Sequence, residues 1–237
     1  MATTNRVSKT TATLGIASAV VAAVAAYGSG FGLWHFMFAF IAIAVAIVFA
    51  IVALIGGITT LIRKKPLGTG GIIGLIAALG FLGVMGFWIN KGVNSPPLHD
   101  VSTNLAAPPS FTKLTLRADN FIGVDTVENW RAIHAKAYGD IKSVTIAKPA
   151  PEAMVAIKAL VEARGWDIAL ATPERIEATE TQSPFKFKDD VVIVATPSPD
   201  ATSTQIDVRS VSRVGLSDLG MNADRVRALL ADIKTIK

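Results

Sequence analysis

The sequence predicts an α+β protein: three N-terminal transmembrane helices within residues 1–93, then an antiparallel-sheet domain with packed helices over 94–237. Three observations lead there. Hydrophobic residues make up 51% of the 237 and charged residues only 17%, against about 25% charged in a typical soluble domain; the mean hydropathy is +0.48. Residues 1–92 hold six basic side chains (Arg6, Lys9, Arg63, Lys64, Lys65, Lys91) and no Asp or Glu. Beyond them the chain turns to short alternating runs broken by Gly and Pro, with 17 basic residues against 18 acidic. The net charge of +5 thus belongs to the apolar half, and the polar half lacks the basic excess that nucleic acid demands. With no cysteine in the chain, disulfides, thiol nucleophiles and iron–sulfur clusters are excluded.

The first expected helix is an Ala/Val-rich run over residues 11–27, the second an uncharged run over 33–62, and the third a Gly/Leu/Ile-rich run over 67–89. The first is the shortest plausible span, whereas the second could reach about 45 Å, more than the roughly 30 Å hydrocarbon core. Arg6 and Lys9 precede the first, and Arg63-Lys64-Lys65 links the second to the third, whereas residues 28–34 carry no Lys or Arg. The positive-inside rule then places the N-terminus and the 63–66 loop in the cytoplasm. Tyr27, Trp34 and Trp88 fall at the opposite ends, as an interfacial aromatic belt requires. The expected location is therefore a bacterial inner membrane, with the C-terminal domain in the periplasm. A cleaved signal peptide ending near Ala23-Val24-Ala25 is the competing reading of the first run.

Small residues recur in the first span (Ala17, Ala19, Ala22, Ala23) and the third, where Gly70-x-x-x-Gly74 matches a close-approach helix motif. Gly70 and Gly74 serve either a docking face for another membrane protein or packing among the three helices themselves. His35, beside Trp34 at a span boundary, reads as a solvated interfacial histidine rather than a pigment or haem ligand, since no second histidine lies in the other spans.

Pro96-Pro97 closes the anchor. Residues 98–124 are weakly patterned, with a hint of a strand at 111–116. Asp125-Thr126-Val127-Glu128 resembles a capping box opening a helix to about Tyr138, with Val127, Trp130, Ile133 and Ala137 as its buried stripe. A second helix is expected over 151–164, with Met154, Ile157, Leu160 and Val161 on one face and Gly165 as its stop. Trp166, Ile168 and Leu170 alternate as a half-buried strand, and Ile176 and Ala178 continue in its partner. The run 191–195 suits a central strand, 204–211 another, and Asn222 caps a last helix bearing Val226, Leu229, Leu230 and Ile233. Consecutive hairpins favour an antiparallel sheet.

The richest polar segment runs from Asp207 to Arg225. Strand alternation puts Asp207, Arg209, Val211 and Arg213 on one face, beside a Gly-containing loop that feeds a helix N-terminus. Arg209, Arg213, Ser217, Asp218 and Asn222 are thereby a candidate site for a phosphate, lipid headgroup or carboxylate. The alternative is a structural network in which Arg209 or Arg213 pairs with Asp207 or Asp218.

The run Val208-Arg209-Ser210-x-Ser212-Arg213-Val214-Gly215-x-Ser217-Asp218-Leu219-Gly220-x-Asn222-Ala223 resembles the signature of a bacterial and plastid family known as domain of unknown function 1499. Pro96-Pro97-x-His99-Asp100-Val101-Ser102-Thr103, Tyr138-x-Asp140-Ile141, Gly165-Trp166 and Phe187-x-Asp189-Asp190-Val191 follow its landmarks in order. The resemblance spans roughly residues 96–233. It implies a shared domain fold and brings no catalytic residues. Gly139 stands where the family more often shows Pro.

His99, Asp100 and Ser210, Ser212 or Ser217 supply the residue types of a hydrolytic triad. No G-x-S-x-G elbow, H-E-x-x-H helix or nucleotide-binding glycine fingerprint accompanies them. His99-Asp100 reads instead as a hydrogen-bonded fastening of the linker. The expectation is a protein without enzymatic activity, cofactor or metal. Its partners would be membrane lipids and other integral membrane proteins, with no nucleic acid among them. Two classes fit: an accessory subunit of a larger respiratory, photosynthetic or transport complex, or an envelope module that binds a lipid headgroup or other anionic small molecule.

Overall fold

The computed structural model describes residues 2–236; Met1 and Lys237, the ends of the expected segments 1–93 and 94–237, lie outside them. The chain divides into two compact units, one built on residues up to 90 together with 183–186 and the other on 91–182 and 187–237.

The first unit contains α1 (Ala2–Gly30), α2 (Phe36–Ile62) and all but the last turn of α3 (Gly68–Val93), three helices long and apolar enough to cross a membrane. Each departs from its expected limits. The first extends backward from residue 11 through the polar start, and the third runs past 89 to Val93. The second begins at Phe36 rather than 33, because His35 is extended and its Nδ1 accepts from the Met37 N–H at 3.3 Å. Helix contact is made through small residues. A Cβ on Gly15 would collide with the Gly74 carbonyl oxygen, and one on Gly74 with the Thr11 carbonyl oxygen. Ala50, Ala53 and Ala78 form a second fully buried cluster. The Trp34 indole N–H donates to the Ala25 carbonyl at 2.9 Å and ties the α1–α2 link to α1.

The second unit is a six-stranded antiparallel sheet with three helices: β1 (Asp100–Ser102), α4 (Val127–Ala137), β2 (Val144–Ile146), α5 (Ala150–Ala163), β3 (Asp167–Ala171), β4 (Arg175–Gln182), β5 (Phe187–Pro197), β6 (Thr204–Ser212) and α6 (Met221–Ile233). β3, β4, β5 and β6 lie side by side in that order, and β1 and β2 share the far edge of β6. Register places Ile176, Ala178, Val191, Ile193, Ala195, Ile206 and Val208 on one face. There they meet Ala153, Met154, Ile157 and Val161 of α5 and Val226, Leu229 and Ile233 of α6 in one core. Ile157→Ala should cost about 2–5 kcal/mol through the cavity it leaves, read as a lowered denaturation midpoint. Leu160 is only partly buried against that core, so Leu160→Ala should cost less. An unchanged midpoint in Ile157→Ala would contradict this packing.

Three sequence expectations are corrected. Residues 111–116 form no strand, because the N–H groups of Thr112, Lys113 and Leu114 are turned toward the Glu177 carboxylate. α4 buries Trp130 and His134 rather than Ala137. Asn222 does not cap α6: Gly220 is the cap residue, left-handed at φ 78°. Asp218 accepts from the Gly220 N–H at 2.9 Å and the Asn222 N–H at 2.5 Å, which frees the Asn222 side chain to point inward.

Candidate functional site

The polar segment after Asp207 does come together in space, but on two opposite faces of the sheet. On the helix-covered face, Asn222 is fully buried. Its amide N–H groups donate to the His99 carbonyl and to Ser212 Oγ, both at 2.9 Å, and its Oδ1 accepts from Ser210 Oγ at 2.6 Å. Arg225, one turn further on, is also buried. Its guanidinium reaches Asp189 Oδ2 at 2.6 Å, Ser210 Oγ at 2.9 Å, and Glu180 and Asn222 Oδ1. Strand pairing sets this up, since Glu180 lies opposite Asp189 and Asp189 opposite Ser212.

On the outer face, Arg209 makes a two-pronged ion pair with Asp100: Nε to Oδ1 at 2.9 Å and Nη2 to Oδ2 at 2.6 Å. Its remaining Nη1 donates to the Pro109 carbonyl at 3.1 Å. Arg213 forms the same kind of pair with Asp190, at 2.9 and 2.8 Å, and is 42% exposed. Glu177, with no exposed surface, accepts from the Thr112 N–H and Oγ1, the Lys113 N–H and the Leu114 N–H at 2.7–2.9 Å. Burial alone would raise the carboxyl pKa of Glu177; these donors outweigh it and hold the pKa below the ordinary value. The long 103–126 segment is thus fastened to the sheet by charge-assisted bonds as well as by Leu105, Phe121 and Val124, which pack into the core.

Arg209 and Arg213 therefore do not open onto an anion pocket, because each already holds a carboxylate in two-pronged geometry. Their partners are Asp100 and Asp190, not Asp207 or Asp218 as the local alternative had it. Asp207 instead accepts from Thr103 Oγ1 at 2.9 Å and from Ser143. Ser217 donates to the Pro96 carbonyl at 3.2 Å and accepts from the Leu219 N–H. Burial raises the Asp218 pKa, and the Asn222 and Gly220 N–H bonds oppose the shift. Gly70 and Gly74 both face α1: a Cβ on Gly70 would sit 3.6 Å from Ala12 Cβ, and Gly74 touches Thr11 and Ala12 directly. No group of three or more His, Asp or Glu side chains among the described residues could hold a metal ion.

The buried histidines take structural positions. His99 Nδ1 stands 3.3 Å from the Leu216 carbonyl, while its own carbonyl accepts from the Ser212 N–H and Asn222. His134, stacked between Trp130 and Tyr138, accepts the Ser102 N–H at its Nε2 at 3.1 Å, so its proton resides on Nδ1. Burial lowers the His134 pKa below 6.5, and Asp100 offsets this in part. Burial, with Asp218 adding to it, likewise pushes the Tyr138 hydroxyl up to about 12.

A pH dependence follows from His134. The unfolded chain binds the imidazole proton more readily than the folded one, so stability should fall as the pH drops below about 6.5 and keep falling until the folded imidazole itself titrates. Protonation also removes the acceptor from Ser102 in β1. Wild type is expected to lose more melting temperature between pH 7.5 and 5.5 than His134→Gln, whose amide oxygen still accepts from Ser102. Equal losses would contradict this role. Asp218 contributes with the opposite sign, but equally in both proteins.

Fold and site together define a membrane-anchored antiparallel α+β domain whose polar signature is folded inward. The sequence model described as protein of unknown function (DUF1499) matches residues 100–233, and the chain belongs to this family. No curated protein matches the chain. The family's landmarks now have physical roles: Asp100, Asp190 and Asp189 are the carboxylates that receive Arg209, Arg213 and Arg225. Asp140 receives Arg227 at 2.6 Å, and Gly165 turns left-handed at φ 70° to end α5. Sequence reasoning missed Glu177, Glu180 and Arg225 as members of these networks. The strand of Glu177 and Glu180 was legible from Ile176 and Ala178, but its partners across the sheet were not, and Arg225 closed the polar segment without being counted among the site residues.

Proposed function

We propose that the protein is a non-enzymatic accessory subunit, anchored by three helices beside a larger respiratory, photosynthetic or transport complex in a bacterial inner membrane. In this reading the N-terminus and the 63–66 loop are cytoplasmic and the α+β domain is periplasmic. One observation carries it: α3 is two-faced. Gly71, Gly74 and Ala78 are buried within the helical unit, whereas Gly80, Gly83 and Gly86 have nothing within 4 Å of where a Cβ would stand. Helical spacing places Gly80 and Gly83 on one stripe with Ile76 and Phe87, which are 64% and 61% exposed. Glycine at such positions offers lipid nothing but lets another helix backbone approach closely.

Blue-native electrophoresis of gently solubilised membranes tests the reading. Comigration with a larger assembly is expected, with release to the free protein in Gly83→Leu. Migration only as a monomer or small homo-oligomer would overturn it. For the orientation, a cysteine at Lys65 should resist an impermeant reagent in intact cells, while one at Thr202 should react.

A further inference from the structure

Of the four large hydrophobic residues that the described α+β domain exposes, three gather at one end: Leu216 at 54%, Ile122 at 43% and Val214 at 39%. They share a surface. Leu216 Cδ2 lies 3.7 Å from the Cβ position of Gly123, the neighbour of Ile122, and Arg117 Nη1 clasps the Gly215 carbonyl at 2.7 Å. The same loop is fastened to the chain that leaves α3. Ser217 Oγ donates to the Pro96 carbonyl at 3.2 Å, and the Asp218 N–H to the Leu98 carbonyl at 3.1 Å.

That fastening fixes the depth of the loop. The 26 residues of α3 span about 39 Å, close to the roughly 40–45 Å of a bilayer with its headgroups. From Val93, the end of α3, three more residues to Pro96 add at most about 10 Å. Chain length alone therefore keeps this loop near the headgroup layer. The charges around it suit that layer. Arg213 is 42% exposed, and its N–H donates to the Lys188 carbonyl at 3.0 Å. Lys188, at the start of β5, is itself exposed. Of the carboxylates near this loop, Asp119 and Asp190 are paired with Arg117 and Arg213, and Asp125, three residues from Ile122, is exposed.

We propose that Ile122, Val214 and Leu216 form a membrane-contacting face that rests in the leaflet from which α3 emerges, with their apolar tips at the acyl boundary and Lys188 and Arg213 over the headgroups. The inference rests on α3 crossing the bilayer and is independent of the docking face on that helix.

The cysteine-free chain allows a direct test in the full-length protein. Leu216→Cys, Ile122→Cys and, as a distant control, Val155→Cys on α5 would each carry an environment-sensitive fluorophore. Each would be reconstituted into vesicles of phosphatidylcholine containing phosphatidylglycerol. Labels at 216 and 122 should be quenched by a shallow spin-labelled lipid and protected at least severalfold from aqueous iodide, whereas the label at 155 should show the reverse. Protection lost in pure phosphatidylcholine would identify the anionic headgroup as the attracting group; protection retained there would identify the acyl boundary. Iodide access at 216 or 122 equal to that at 155 in both compositions, without lipid quenching, would overturn the proposal.

Discussion

Replacing Arg225 with methionine is expected to destabilise the domain by about 3–5 kcal/mol, because it leaves a buried charge without its partner. Asp189 is 2% exposed and gives its Oδ2 to Arg225 and to Gln182. Without the guanidinium, Gln182 is its one remaining side-chain donor among the described residues. Ser210 and Asn222 lose a shared donor in the same step. In a domain of this size the loss corresponds to roughly 10–20 °C in melting temperature, measurable by near-ultraviolet circular dichroism of the detergent-solubilised protein. A shift of a degree or two would mean that the network contributes little.

Arg209→Met should cause a loss of similar size, about 3–5 kcal/mol, since Asp100 is 1% exposed and Arg209 7%. The double variant Asp100→Leu/Arg209→Met should recover much of it, because apolar residues of similar volume often replace a buried ion pair without penalty. Recovery would be incomplete, as Asn120 also donates to Asp100. Arg213→Met gives the contrast. This pair is two-fifths exposed on the arginine side, and solvent screening should limit its loss to about 1 kcal/mol. Equal losses at 209 and 213 would contradict the difference in burial on which both expectations rest.

The three long helices and the α5, β5, β6 and α6 segments were legible because each carries a strong periodic signal: uninterrupted apolar runs in the anchor, and amphipathic or fully apolar runs in the domain. β1 and β2 were not. Each has three residues, too few for alternation to register, and β1 is buried at every position because β6 lies beside it and Trp130 and His134 of α4 bond it. The sequence placed Arg209 and Arg213 on one strand face correctly and paired them wrongly. Their carboxylates come from strands 109 and 23 residues away, and no local pattern announces such a partner. Asn222 was misread for a related reason. Its position suits a cap, yet Gly220 is the cap residue and the Asp218 carboxylate already accepts the Asn222 N–H, and the amide turns inward to join β6 to the linker. The family landmarks named Asp100, Asp189 and Asp190 without saying what they do; the ion pairs supply the reason.

The docking reading is tested most directly by photo-crosslinking in native membranes from Phe87, where a benzoyl-phenylalanine closely replaces the native ring beside Gly80 and Gly83. A discrete adduct to a different membrane protein is expected from position 87 and none from position 75, whose leucine methyl lies 2.9 Å from the Cβ position of Gly57 inside the helical unit. Adducts to lipid alone at position 87, in membranes where the protein is abundant and intact, would contradict an accessory role.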